Sequence, residues 1–191
     1  NKPRNDAFVY LLAGKLIMQN KNLICVDGIG KRGTTCKDKS DLIIEYSQLE
    51  LIIECKRPNS EGALASRTKE ARSQIGDRPG IIALDCSSVV RPPGKVIEKE
   101  SAEIAEQFLS SLLEKKVKPK IERHLRLRPN LLGLILFARA PAMTPIGHSR
   151  IVNVSGSPLE SRYRPDSIGT WLLIENSNGD YTGVLASIFS A

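Results

Sequence analysis

The sequence predicts an α/β fold with a mixed central β-sheet flanked by helices on both faces. Three observations carry that expectation. The stretches GIIALDCSS (80–88) and LLGLILFARA (131–140) are almost wholly apolar, as strands covered on both sides must be. Between and before them apolar residues recur at helical spacing, giving the order helix, three strands, helix, strand, helix, strand. The segments DLIIEY (41–46) and LELIIE (49–54) alternate so that, folded as a hairpin, one side is entirely apolar.

Taken in order, residues 5–19 start on Asn and Asp and place Phe8, Leu11, Leu12 and Leu16 on one side of a helix. NLICV (22–26) reads as a short strand, and a loop rich in glycine and lysine follows it. The hairpin comes next, turning at Ser47-Gln48, with Leu42 facing Ile53, Ile44 facing Leu51 and Tyr46 facing Leu49. A three-residue loop would shift the register by one and split the apolar side. From Ser60 to Gln74 a helix presents Leu64, Thr68, Ala71 and Ile75 on one face, and Gly76 ends it. The strand 80–88, a helix from about 98 to 116, a loop at Pro119 and the strand 131–140 complete the core. The tail offers strands at 150–154 and 170–175. We expect one domain over 1–191, with a core of about 5–140 and a C-terminal extension over 141–191.

Lysine and arginine number 28 against 21 acids, a net charge of +7 that favours a polyanionic partner. No apolar run is long enough to cross a bilayer, so no membrane partner is expected. Four cysteines lie far apart without a C-x-x-C pair, which argues against structural zinc. Cys25, Cys55 and Cys86 sit in apolar runs and read as reduced core residues, hence an intracellular location, cytoplasmic or nucleoid/nuclear. His124 and His148 read as surface residues, and Trp171 as a core or strand anchor. The reading is compatible with a homo-oligomer and with a piece of a larger chain.

The hairpin register has a chemical consequence. On its second side Asp41 faces Glu54, and Lys56 lies on the same side by the period of two. Opposed residues in such a pair hold their Cβ atoms roughly 4.5–5.5 Å apart, and like charges there repel. Two carboxylates on rigid strands with a lysine beside them suit a divalent cation, and Mg²⁺ typically takes one or two carboxylates and leaves other positions to water and phosphate.

Asp41 followed by Glu54-Cys55-Lys56 resembles the signature of the PD-(D/E)xK nuclease superfamily, and the flanking helix, hairpin, helix and strand resemble its restriction-endonuclease-like core over roughly residues 5–90. Ser40 stands where many members carry proline. The resemblance implies a metal-dependent nuclease hydrolysing phosphodiester bonds, most readily in DNA, with Mg²⁺ or Mn²⁺ held by Asp41, Glu54 and the backbone carbonyl of Cys55. It implies that Lys56 positions or deprotonates the attacking water. It also points to Asp6 on the first helix as a further metal ligand, with a helix N-cap as the alternative, and to Gln74 as a polar site residue. The alternatives are a non-catalytic nucleic-acid-binding or assembly domain of the same fold, and an RNA-cleaving nuclease. A phosphate backbone could be gripped by Lys31, Arg32, Lys37 and Lys39 in the glycine-rich loop. The run LLEKKVKPKIERHLRLRP offers Lys115, Lys116, Lys118, Lys120, Arg123, Arg126 and Arg128 for the same purpose.

Overall fold

The computed structural model describes residues 2–27, 29–30, 40–91, 96–125, 128–145 and 163–189. Helix α1 (Lys2–Met18) leads into β1 (Asn22–Val26) and the short β2 (Ile29–Gly30). The hairpin β3 (Leu42–Tyr46) and β4 (Leu49–Lys56) is followed by a 3₁₀ turn (Glu61–Ala63), α2 (Leu64–Ile75) and β5 (Gly80–Asp85). Then come α3 (Ser87–Val90), β6 (Ile97–Glu98), α4 (Ala102–Leu112), a π-helical turn (Leu113–Val117), α5 (Lys118–Ile121) and a second 3₁₀ turn (Glu122–His124). The long strands β7 (Leu131–Pro145) and β8 (Tyr163–Glu175) precede α6 (Val184–Phe189).

The described strands form one mixed sheet in the order β2-β1-β3-β4-β5-β7, and β7 pairs further with β6 and β8. β1 pairs with β3 and β3 with β4 antiparallel, whereas β5 joins β4 in parallel and β7 joins β5 in parallel. α2 makes the crossover between β4 and β5, as a parallel pair requires. Alternation along the strands divides the core in two. Leu42, Ile44, Leu51, Ile53 and Cys55 pack under α1 and α6, while Ile52, Ile82 and Leu84 pack under α2 and α4.

The hairpin takes the register expected from sequence, with Leu42 opposite Ile53, Ile44 opposite Leu51 and Tyr46 opposite Leu49. Its turn puts both Ser47 (φ 48°) and Gln48 (φ 69°) in the left-handed region, the backbone of a type I′ turn built without Asn-Gly. Leu64, Thr68, Ala71 and Ile75 are the buried face of α2, as expected, and Gly76 ends it at φ 66°. The Thr68 hydroxyl donates to the Leu64 carbonyl at 2.8 Å, so its burial leaves no donor unmatched.

Four expectations are corrected or fall outside the description. The loop at Pro119 is helical: proline occupies the first turn of α5, where it gives up no intrahelical hydrogen bond. Asp6 lies inside α1, which starts before it, and is not an N-cap. Cys25 is disulfide-bonded rather than reduced. It faces Gly30 across the β1–β2 pair, which folds the following chain back alongside it. Cys55 and Cys86 are free and buried, so the partner of Cys25 lies outside the described residues. That bond removes the cysteine argument for a reducing compartment. The strand expected at 150–154 also lies outside the described residues, while 170–175 falls within β8.

Beyond residue 140 the chain belongs to the sheet. Ile168 and Ile174 of β8 enter one core half, and Leu185, Ile188 and Phe189 enter the other. Trp171 anchors β8, with its ring 4.4 Å from that of Phe137. Asn176 is buried and donates to the carbonyls of Leu125, Arg128 and Leu131, tying the end of β8 to the approach to β7. No described helix is long and apolar enough to cross a membrane.

Gly133 is required by close approach. A Cβ there would collide with the backbone carbonyl of Ile174 and come within 2.6 Å of the Leu185 side chain. Backbone cannot move aside cheaply, so Gly133→Ala is expected to cost about 3 kcal/mol, the upper end for overpacking. Urea denaturation measures it, and a loss under about 0.5 kcal/mol would show that β8 yields readily.

Candidate functional site

Asp41, Glu54 and Lys56 come together where β4 ends. The Asp41 carbonyl accepts the Asp27 N–H at 2.7 Å, which extends the β1–β3 pairing to Asp41 and fixes its backbone. Its carboxylate Oδ2 accepts the Cys55 N–H at 2.8 Å. The Lys56 ammonium reaches both acids, with Nζ 3.3 Å from Glu54 Oε2 and 3.8 Å from Asp41 Oδ2. Side-chain exposure falls from 26% at Asp41 to 8% at Lys56 and 4% at Glu54, so solvent meets the cluster through Asp41.

These surroundings set the charge. Burial first, and then the Asp41 carboxylate, push the Glu54 carboxyl up to about 7, while the Lys56 ammonium opposes the shift. One lysine does not compensate two acids here, and the site is short of positive charge. The Cys55 side chain points into the opposite core half, while its N–H meets the Asp41 carboxylate.

A divalent cation fits this donor set. Among the described residues no group of three or more His, Cys, Asp or Glu side chains gathers. Two adjacent carboxylates with excess negative charge match the hard oxygen site of Mg²⁺ or Mn²⁺, with water and phosphate completing the shell.

The remaining expected residues are placed less centrally. Gln74 is exposed beside Ile75, whose side chain packs near Gly80, at the level of Ile52 rather than of Glu54 and Lys56. Asp6 sits on α1, on the face opposite Glu54 and Lys56, and its side chain lies outside the described residues. So do Lys31, Arg32, Lys37 and Lys39. In the basic run Lys115 and Lys116 are exposed on the π-helical turn and Arg123 is exposed beyond α5. Lys120 is ion-paired with Glu61, and Arg128 with Asp77 at 2.8 Å. Arg126 lies outside the described residues.

Three cationic residues escape the sequence reading. Arg78 sends Nη2 to within 3.5 Å of the Ser40 hydroxyl, beside Asp41. Lys69 and Arg72 of α2 lie near enough to Arg123 that all three act on His124. Burial first, then Arg123, Arg72 and Lys69, lower the affinity of His124 for a proton. Its Nε2 is buried without a hydrogen-bond partner, so His124 is not the plain surface residue expected. The i, i+3 spacing of Lys69 and Arg72 was the available signal. Comparison with protein-family models, curated proteins and solved structures finds no match to this chain.

Proposed function

We propose that the protein is a divalent-metal-dependent nuclease that hydrolyses phosphodiester bonds in DNA on a restriction-endonuclease-like core. One observation carries the reading: two carboxylates from adjacent strands meet one lysine, and the buried one is pushed up to about 7 by burial first and then by its neighbouring acid, against the opposing lysine. The order α1, β1, β3, β4, α2, β5, with β5 parallel to β4, supports the superfamily resemblance. When bound, the metal lowers the pKa of its water and neutralises charge on the attacked phosphate. Asp41, clamped by the Cys55 N–H, offers a ligand whose position is fixed beforehand. Glu54 would hold the metal as its second carboxylate ligand, releasing its own proton to solvent. Lys56, relieved of its duty as counter-ion, turns its ammonium to the water and the phosphate.

The test is incubation of single- and double-stranded DNA and RNA with Mg²⁺, Mn²⁺ or EDTA. Cleavage of DNA with metal and none in EDTA is the expected result. An inert protein under every metal condition sinks the proposal.

The burial of Glu54 and Lys56 favours a second reading, a nucleic-acid-binding domain in which the three charges form a structural ion pair. Both readings need a phosphate-binding surface, and the basic run supplies a measurable one. Each duplex phosphate contact contributes about 0.9 to the slope of log affinity against log salt. Lys120 is already paired with Glu61. Replacing Lys115, Lys116, Lys118 and Lys120 with Gln should therefore flatten the slope by about 2 to 3. A salt titration that superimposes on the parent would move the grip to Lys69, Arg72 and Arg123.

A further inference from the structure

One well-formed cavity among the described residues does not adjoin Asp41, Glu54 and Lys56. It lies on the opposite face of the sheet, under α1, where the parallel strands β4, β5 and β7 end or continue past their neighbours. Such crevices at the carboxyl ends of parallel strands are where open α/β sheets take ligands. We propose that this cavity binds a phosphate monoester carried on an aromatic or apolar group, either a free nucleoside monophosphate or the phosphorylated end of a nucleic-acid strand.

The wall supplies the anion chemistry. Arg57, Arg91 and Arg139 line the cavity with Ser87 and Ser88, and among the described residues Asp85 is the carboxylate that joins them. Asp85 is buried and acts as an organiser. Its Oδ2 lies 3.1 Å from Arg57 Nε, and its Oδ1 accepts both the Ser87 N–H (3.0 Å) and the Ser87 hydroxyl (2.5 Å). The Ser87 oxygen in turn accepts the Arg139 N–H at 2.9 Å, and Arg139 Nε donates to the Ser167 hydroxyl at 2.6 Å. Arg57 and Arg139 are thus oriented before any ligand arrives, which lowers the ordering cost of binding. Planar guanidinium groups match phosphate oxygens in pairs, a geometry lysine does not offer.

The floor supplies the second half of the ligand. Phe8, Leu11 and Phe137 line it, and the rings of Phe8 and Phe137 stack with centroids 5.8 Å apart. With a volume of about 450 Å³ the cavity falls within the usual range for small-molecule sites and is far too large for bare phosphate. An attached base or sugar would fill the remainder.

The decisive experiment is calorimetric titration of the full chain with AMP, adenosine and inorganic phosphate. The same titrations are run on Arg91→Gln/Arg139→Gln and on Asp41→Asn. AMP is expected to bind at least about tenfold tighter than adenosine, and the double variant to lose at least about tenfold in AMP affinity. Asp41→Asn should bind AMP as the parent does, so failure of the nuclease reading leaves this result standing. An oligonucleotide with a 5′-phosphate, compared with its 5′-hydroxyl form, separates the two sources. Tighter binding of the phosphorylated strand than of AMP identifies strand ends, and AMP binding without any effect of the strand's phosphate identifies the free nucleotide. AMP binding no tighter than adenosine, or unchanged in the double variant, overturns the proposal.

Discussion

Glu54→Gln is expected to lower cleavage about a thousandfold and to flatten the pH dependence of the metal-free protein's stability. The first effect follows from removing one of two anionic ligands. The second follows from linkage. The Glu54 carboxyl is pushed from its ordinary value of 4.5 up to about 7 in the fold, chiefly by burial and then by Asp41. Between those values the folded state keeps a proton that the unfolded chain has released. Stability from this group is therefore full below 4.5 and lost as pH rises to about 7, a swing of about 3 kcal/mol. Other groups also titrate over this range, so the quantity to read is the difference between parent and variant. Urea denaturation in EDTA at about pH 5 and about pH 8 gives it. Relative to parent, Glu54→Gln should gain about 3 kcal/mol on going from the lower pH to the higher. Parallel pH profiles would show that Glu54 is not strained in the fold.

Metal affinity must carry the same signature. A cation held here would bind the ionised carboxylates, so below about 7 it would have to expel the Glu54 proton. Affinity for Mn²⁺ should rise with pH up to that point and level off above it.

Much of this site was legible because it rests on backbone periodicity. The apolar side of 41–54 is kept intact by the observed register, and that register puts Asp41 opposite Glu54. The Ser47-Gln48 turn was a weak signal because neither residue is glycine, yet both adopt positive φ. Here the hydrophobic pattern, not turn chemistry, determined the pairing. The helical face of α2 was read correctly for the same reason.

What escaped was set by contacts distant in sequence. The proline in the basic run looked like a break because a lone Pro119 is read as a stop. The π-helical turn before it realigns the helix, so proline enters at a first turn, where its missing N–H costs nothing. Arg78 gave no sign of its place near Ser40, since only the crossover through α2 brings them together. The cavity under α1 draws its arginines from three separate elements, and no spacing along the chain announces it.

Lys56→Met should abolish cleavage and yet tighten Mn²⁺. In the parent the ammonium lies 3.3 Å from Glu54 and 3.8 Å from Asp41, where a cation's charge is wanted. A metal must displace that contact before it can bind. Methionine keeps most of the volume and removes the charge, so the competitor is gone while the apolar stem still packs. Without metal the variant leaves two acids uncompensated at a site where Glu54 is 4% exposed. Breaking a buried pair in this way costs about 3–5 kcal/mol, less whatever Glu54 recovers by holding its proton to higher pH. Added Mn²⁺ restores the missing charge, and stabilisation grows by about 1.4 kcal/mol per tenfold excess over the dissociation constant. Thermal denaturation across a Mn²⁺ series reads both effects at once. The variant should melt below the parent in EDTA and gain more from each increment of metal. A structural ion pair predicts the first result without the second. Equal or weaker Mn²⁺ stabilisation in Lys56→Met would leave the three charges as a structural ion pair and remove the metal from the site.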